Sequence, residues 1–90
     1  MADVSNNESA SRYELEVDGE LAIAEYRLRA GRITFTHTEV PDALEGQGIG
    51  SRLIKAALDD ARAQGLKVVP ACPFVKRYMD KHPETQDLLA

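Results

Sequence analysis

The sequence predicts an α+β fold in which a three-stranded antiparallel meander is followed by a helix, a parallel strand and a second helix. Two observations indicate this order: strand-like segments separated by glycine turns fill residues 12–40, and apolar residues recur at helical spacing over residues 48–64. A third is the short β-branched run Leu66–Ala71, which is typical of a strand. The chain has 90 residues, enough for one small domain, which we place at residues 12–90.

The first two strands are predicted from alternation and a glycine turn. Residues 1–11 are small and polar with no period, and are expected to form a disordered tail. Apolar residues then alternate with charged ones over residues 12–17. Asp18-Gly19 suits a type I′ hairpin, because both central positions of that turn need a positive φ. Glu20–Arg29 carries apolar residues on both faces and is therefore predicted to be an interior strand.

The third strand and the first helix follow a second glycine turn, Ala30-Gly31. Arg32–Val40 is rich in β-branched residues, and Pro41 ends it because proline cannot donate to a sheet ladder. The helix is predicted from about Gly48 to Gln64, with Gly65 as its C-terminal cap.

The last strand and helix complete the predicted domain. A right-handed crossover would lay Leu66–Ala71 parallel to the third strand if the two share a sheet. Pro73 suits the first turn of the second helix, and His82-Pro83 stops that helix. Its apolar stripe is formed by Phe74, Val75, Tyr78 and Met79.

Composition and charge exclude several functional classes. The net charge is −4 and no cluster of Lys and Arg is visible, so a nucleic-acid-binding protein is not expected. No apolar run approaches the ~20 residues that cross a bilayer, so no membrane association is expected. The single Cys72 and the two His residues provide neither a disulfide framework nor a metal cluster. A free thiol fits a reducing, cytoplasmic setting.

The most informative segment is a glycine-rich loop that precedes the first helix. Gly46, Gly48 and Gly50 alternate, which leaves backbone N–H groups unscreened next to the positive end of a helix dipole. This pattern is typical of a phosphate or pyrophosphate site, although the glycines could instead serve only close packing of helix on sheet. A Walker loop is excluded because Ser51-Arg52 stands where Lys-Ser/Thr is needed. A dinucleotide fingerprint is excluded because it needs glycine at position 51 and a longer chain.

Three segments in order resemble the GNAT superfamily of acetyl-CoA-dependent N-acetyltransferases. Glu45–Gly50 is similar to its motif Arg/Gln-x-x-Gly-x-Gly/Ala. His37–Pro41 and Val69–Val75 are similar to a minimal single-domain GNAT-like subfamily, and Tyr78–Pro83 also fits. The resemblance covers about residues 13–84, and the three segments in order are far more specific than the glycine motif alone.

The resemblance implies acetyl-CoA as co-substrate and no metal. It implies that the coenzyme is bound by Val40, Gly46, Gln47, Gly48, Ile49, Gly50 and Ser51. Glu45 departs from the family pattern, which has Arg or Gln at this position. A carboxylate beside a pyrophosphate is unfavourable unless it points to solvent. The basic pair Lys76 and Arg77 would either meet the 3′-phosphate of CoA or form a solvated face.

Three residues are candidates for catalysis. Cys72 lies at a helix start, where the dipole can lower the pKa of a thiol, but a free Cys is also often a small buried hydrophobe. The resemblance places a Cys here near the thioester of CoA. His37 and Glu39 share one face of the third strand, and either is a candidate general base, since acetyl transfer needs a neutral amine. The alternatives are a structural hydrogen bond for His37 and a solvated strand end for Glu39. His82 is expected to be a helix-end residue.

Three functions remain open on the sequence. The chain is either an N-acetyltransferase acting on a small-molecule or peptide amine, a CoA- or acyl-CoA-binding module without turnover, or a subunit whose acceptor site a partner completes. The N-terminal elements that larger family members use for the acceptor are not recognised before residue 12. A monomer or weak homodimer is expected.

Overall fold

A computed structural model describes residues 4–90 and contains one five-stranded sheet with two α-helices. The strands lie in the order β1-β2-β3-β4-β5. They are β1 (Ser5–Asn7), β2 (Arg12–Val17), β3 (Glu20–Arg29), β4 (Arg32–Glu39) and β5 (Lys67–Pro70). The helices are α1 (Ile49–Ala63) and α2 (Pro73–Lys81). Short 3-10 turns span Glu8–Ala10, Asp42–Leu44 and Pro83–Leu88.

The predicted topology is confirmed. Strands β2, β3 and β4 form the antiparallel meander with β3 in its interior, and β5 pairs in parallel with β4. Both hairpins turn through two positive φ angles, at Asp18 (52°) and Gly19 (80°) and at Ala30 (50°) and Gly31 (79°). These angles are those of a type I′ turn, the geometry that matches the twist of the flanking strands.

The predicted disordered tail is wrong for residues 5–10, while residues 1–3 lie outside the described part of the chain. The short strand β1 pairs antiparallel with β2. The hydroxyl of Tyr26 donates to the Asn6 side chain, and the Asn7 amide donates to Glu14 at 3.0 Å. Order here comes from hydrogen bonds made by polar side chains, which leave no hydrophobic period in the sequence.

The core lies on one face of the sheet, which we call the inner face. Both helices contribute to it, since buried Leu53 of α1 and Val75 of α2 join the same cluster as Tyr13, Ala24 and Phe35 of the sheet. At its edge the Tyr13 hydroxyl donates to Asp60 of α1 at 2.6 Å. Burial, together with this bond to Asp60, raises the pKa of Tyr13, so the phenol stays protonated.

The opposite side of the sheet, which we call the outer face, is mostly charged, and its side chains range from buried Ile23 (9% exposed) to exposed His37 and Glu39. Cross-strand pairing places Glu14, Ile23 and Glu39 in one row of this face and Arg12, Glu25 and His37 in the next. Leu21, close to these rows, is 38% exposed, so no helix of the described chain covers this end of the face.

The ends of α1 and β5 are closed by backbone hydrogen bonds. Gly65 (φ 71°) donates to the Arg62 carbonyl and Leu66 to that of Ala61, which is a Schellman cap and confirms the predicted role of Gly65. Leu89 forms a parallel bridge with Val68, and the amide of Ala90 donates to the Val68 carbonyl at 3.0 Å. Within residues 4–90, no helix is long and apolar enough to cross a membrane.

Candidate functional site

The glycine loop joins β4 to α1 and is shaped by two left-handed residues. Gly46 (φ 83°) and Gly48 (φ 73°) adopt a conformation that other residues rarely tolerate. A Cβ atom built on either glycine would meet no atom within 4 Å. These two glycines therefore turn the backbone and leave the space above it free.

Gly50 is required for a different reason. It lies in the first turn of α1, and a Cβ atom built on it would be 2.4 Å from Cζ of Phe74. The ring of Phe74, at the start of α2, thus rests directly on the helix backbone. Close packing, one of the two explanations open at the sequence level, applies to Gly50, whereas Gly46 and Gly48 have open space instead.

An open cavity of about 250 Å³, which we call the loop cavity, lies over this segment. Its lining includes six residues predicted to bind the coenzyme: Val40, Gly46, Gly48, Ile49, Gly50 and Ser51. Glu45 and Phe74 also line it. The N-terminus of the 15-residue helix α1 borders it, so unpaired N–H groups and the positive end of the helix dipole are available there. Gln47 differs from the other predicted binding residues, because its side chain folds back to donate to the Ala43 carbonyl at 3.3 Å.

A second cavity of about 220 Å³, which we call the helix cavity, lies alongside. It is lined by Ser51, Phe74, Arg77, Tyr78, Lys81 and His82. The rings of Tyr78 and His82 stack at 3.8 Å with an angle of 15° between their planes. His82 ends α2 as predicted. Of the predicted basic pair, Arg77 reaches this cavity, whereas Lys76 forms an ion pair with Asp80 at 3.0 Å outside it.

A corner formed by Thr38, Cys72 and the first turn of α2 lies where β4 and β5 separate. The last pair between the two strands is Phe35 with Pro70, and the Cys72 amide then donates to the Phe35 carbonyl at 2.9 Å. The Cys72 side chain is buried, and its thiol donates to the Thr38 hydroxyl at 3.4 Å.

The environment of this corner changes the acidity of the thiol. Burial by itself would raise the pKa of Cys72. Hydrogen bonds from Thr38 and from the backbone of the first turn of α2 outweigh burial, so the pKa of the thiol is lowered. Both explanations offered for Cys72 therefore have support, since its side chain is buried and the pKa of its thiol is lowered.

A β-bulge determines which side chains of β4 face this corner. Tyr26 pairs with Phe35 but Glu25 pairs with His37, so Thr36 is an extra residue in β4. Beyond the bulge the alternation is inverted, and Thr38, opposite buried Ala24, faces inward. No local pattern in the sequence marks this inversion, and Thr38 was not among the predicted site residues.

The bulge divides the three predicted catalytic residues between the two faces. His37 and Glu39 do share one face, as predicted, and their side chains approach to 3.5 Å between Nε2 and Oε1. That face is the outer one, where the two side chains are 56% and 66% exposed. Cys72 contacts Thr38 on the inner side instead. In the described part of the chain, no group of three or more His, Cys, Asp or Glu residues is arranged to hold a metal ion.

Comparison with known proteins agrees with this geometry. Residues 12–88 match the family described as GCN5-related N-acetyl-transferase. The solution NMR structure of a GCN5-like protein from Staphylococcus aureus superposes with a TM-score of 0.77 at 32% identity, covering 98% of this chain and 87% of the other. Protein NATD1 from Gallus gallus and from Mus musculus is 41% identical over 56 residues, which is 62% of this chain. The matched segment spans about half the length (51%) of each of these relatives.

Proposed function

The chain belongs to the GCN5-related N-acetyl-transferase family, and from that premise we propose that it binds acetyl-CoA and transfers the acetyl group to an amine. The observation that carries the proposal is the loop cavity, where Gly46 and Gly48 leave open space against the N-terminus of α1. Backbone N–H groups and a helix dipole together suit a pyrophosphate. The family typically uses acetyl-CoA, and these residues fit that molecule.

The helix cavity supports the same ligand. A pyrophosphate in the loop cavity would place the nucleotide end of CoA next to Ser51 and Phe74, which line both cavities. Arg77 and Lys81 supply positive charge for the 3′-phosphate, and the stacked Tyr78–His82 pair offers an aromatic surface for the base.

The chemistry that the chain must supply is proton removal and orientation. Acetyl-CoA brings an activated thioester, and the acceptor nitrogen must lose its proton to attack the carbonyl carbon. His37 and Glu39, exposed on the outer face next to the separation of β4 and β5, are the candidate bases, directly or through water. The carboxylate of Glu25, which lies opposite His37 in the sheet, suits an acceptor that arrives as a protonated amine.

Cys72 is assigned a secondary role in this proposal. Its side chain is buried against Thr38 on the inner side, so an amine on the outer face has no need of it as a covalent relay. Direct attack by the amine is therefore the mechanism we propose. A cytoplasmic location is part of the proposal, because it keeps this thiol reduced.

Calorimetric titration with CoA and an acetylation assay over small and peptide amines test the function. We expect saturable CoA binding and acetyl-CoA-dependent product. Binding without product from any amine favours the alternative of a binding module or of a subunit that needs a partner, which the open outer face accommodates. An absence of CoA binding by the folded protein refutes the proposal.

A further inference from the structure

The side chain of Phe74 stands between the two cavities and has a role that the glycine motif does not account for. Within residues 4–90, Ser51 and Phe74 are the two residues that line both the loop cavity and the helix cavity. Ser51 contributes an exposed hydroxyl from α1, whereas Phe74 contributes a half-buried ring from α2. A ligand that occupies both cavities must pass by Ser51 and Phe74.

The position of the ring is fixed by contact with a glycine. A Cβ atom on Gly50 would lie only 2.4 Å from Cζ of Phe74. Such a distance is too short for two carbon atoms, so any larger residue at position 50 displaces the ring. The Phe74 ring is the partition between the two cavities, and its position therefore depends on Gly50 as well as on Phe74.

We infer that Phe74, seated on Gly50, is a positioning residue that fixes the path of CoA from the loop cavity to the helix cavity. This inference rests on the proposed function. A rigid wall restricts the ways in which the pyrophosphate and nucleotide halves can be arranged, which lowers the entropy lost when both halves bind at once. The ring should therefore matter for the whole ligand more than for either half.

The test compares CoA with two half-ligands by calorimetry or by NMR titration. They are 4′-phosphopantetheine, whose phosphate belongs in the loop cavity, and adenosine 3′-monophosphate, which has no 5′-phosphate to place there. For Phe74→Ala we expect CoA to bind about tenfold more weakly, a loss of about 1.4 kcal/mol. Each half-ligand should change by less than about threefold, since neither spans the partition. Thermal unfolding of each variant confirms that a folded protein is being measured.

Gly50→Ala supplies the matched second variant. It should reproduce the loss in CoA affinity by pushing the ring aside, and it should cost nothing further in the Phe74→Ala background, because the displaced group is gone. If Phe74→Ala does not fold, Phe74→Leu takes its place, and the loss of affinity for CoA is again compared with the loss for each half-ligand.

Three outcomes overturn the inference: equal losses for CoA and both half-ligands, unchanged CoA affinity, or additive effects of the two substitutions. Failure of the unmodified protein to bind CoA is a separate result. It refutes the proposed function itself.

Discussion

The glycine loop and the corner around Cys72 are built by different means, although both lie at the same end of the sheet. The loop presents backbone groups, and its form follows from two left-handed glycines and one that accepts a ring. The corner presents side chains, and the direction in which they point depends on a bulge at Thr36 and on where β5 leaves β4.

This difference determines what each region can tolerate. A backbone site depends on φ angles, so a single Cβ atom in the wrong place disables it, whereas most side chains around it are replaceable. A side-chain site depends on register, so its residues can be exchanged one at a time with the backbone intact. Substitutions in the two regions should accordingly separate binding from turnover.

The largest expected effect is on turnover at the outer face. Replacing whichever of His37 and Glu39 is the base should lower kcat by ~100-fold or more, with the Kd for CoA unchanged. His37→Ala and Glu39→Ala identify the base by steady-state kinetics and titration. Cys72→Ala is the contrasting variant, because direct attack by the amine predicts retained transfer. Loss of transfer in Cys72→Ala, together with an acetyl adduct on Cys72 in the unmodified protein by intact mass, would show a covalent intermediate instead.

The next effect is on binding at the loop. Gly48→Val places a branched side chain in the space left for the ligand and should weaken CoA binding by more than about 1.4 kcal/mol, or tenfold. Gly65→Val is the matched control, since Gly65 has nearly the same φ (71° against 73°) and the same empty surroundings at the far end of α1. Both variants lose stability in thermal unfolding, but only the first should lose CoA. Equal CoA affinities in the two folded variants would show that the pyrophosphate does not bind at the glycine loop.

A smaller effect is expected on the chemistry of the thiol. Because the pKa of Cys72 is lowered, its alkylation rate should reach half-maximum at a lower pH than that of a free thiol. The same shift means that the folded state gains stability as pH rises through the thiol pKa and loses it as pH falls. Once the thiol has lost its proton, the Thr38 hydroxyl can donate to the thiolate, so Thr38→Val removes this donor and should move the midpoint upward. Thr36→Val, an exposed position on the same strand, should leave it in place.

The smallest effect concerns charge at the rim of the loop cavity. Glu45→Gln removes a carboxylate that lines this cavity and should strengthen CoA binding by roughly two- to fivefold, the range of an exposed charge pair. The gain should shrink in high salt, where such interactions are screened. Glu16→Gln, on the open side of β2, serves as the control for net charge. Identical affinities for both variants at low salt would mean that the Glu45 carboxylate points away from the ligand.

The same contrast between the loop and the corner explains which features could be predicted from the sequence. The meander and both helices were predictable, because Asp18-Gly19 and Gly65 act locally and the apolar periods change where the elements change. The three glycines that line the loop cavity followed from their spacing, whereas Val40 and Ser51 came only from the resemblance to a family. By contrast, the inward turn of Thr38 depends on one extra residue in a pairing between distant strands, and no local pattern marks it.

Strand β1 was missed for a related reason. It is three residues long and polar, and the Asn6 side chain finds its donor 20 positions away at Tyr26. The packing of Phe74 on Gly50 was likewise hidden, because glycine spacing shows where side chains are missing but not which neighbour uses the space.

The bridge from Leu89 to Val68 covers part of one edge of the sheet. An edge strand with unpaired N–H and C=O groups invites pairing with another molecule. Here β5 has its outer edge occupied in part by Leu89 and Ala90, and β1 at the opposite edge is only three residues long and polar. Removing residues 89 and 90 would uncover the apolar edge of β5 while leaving the loop and the outer face unchanged. Aggregation during expression is therefore the expected consequence of trimming the chain there.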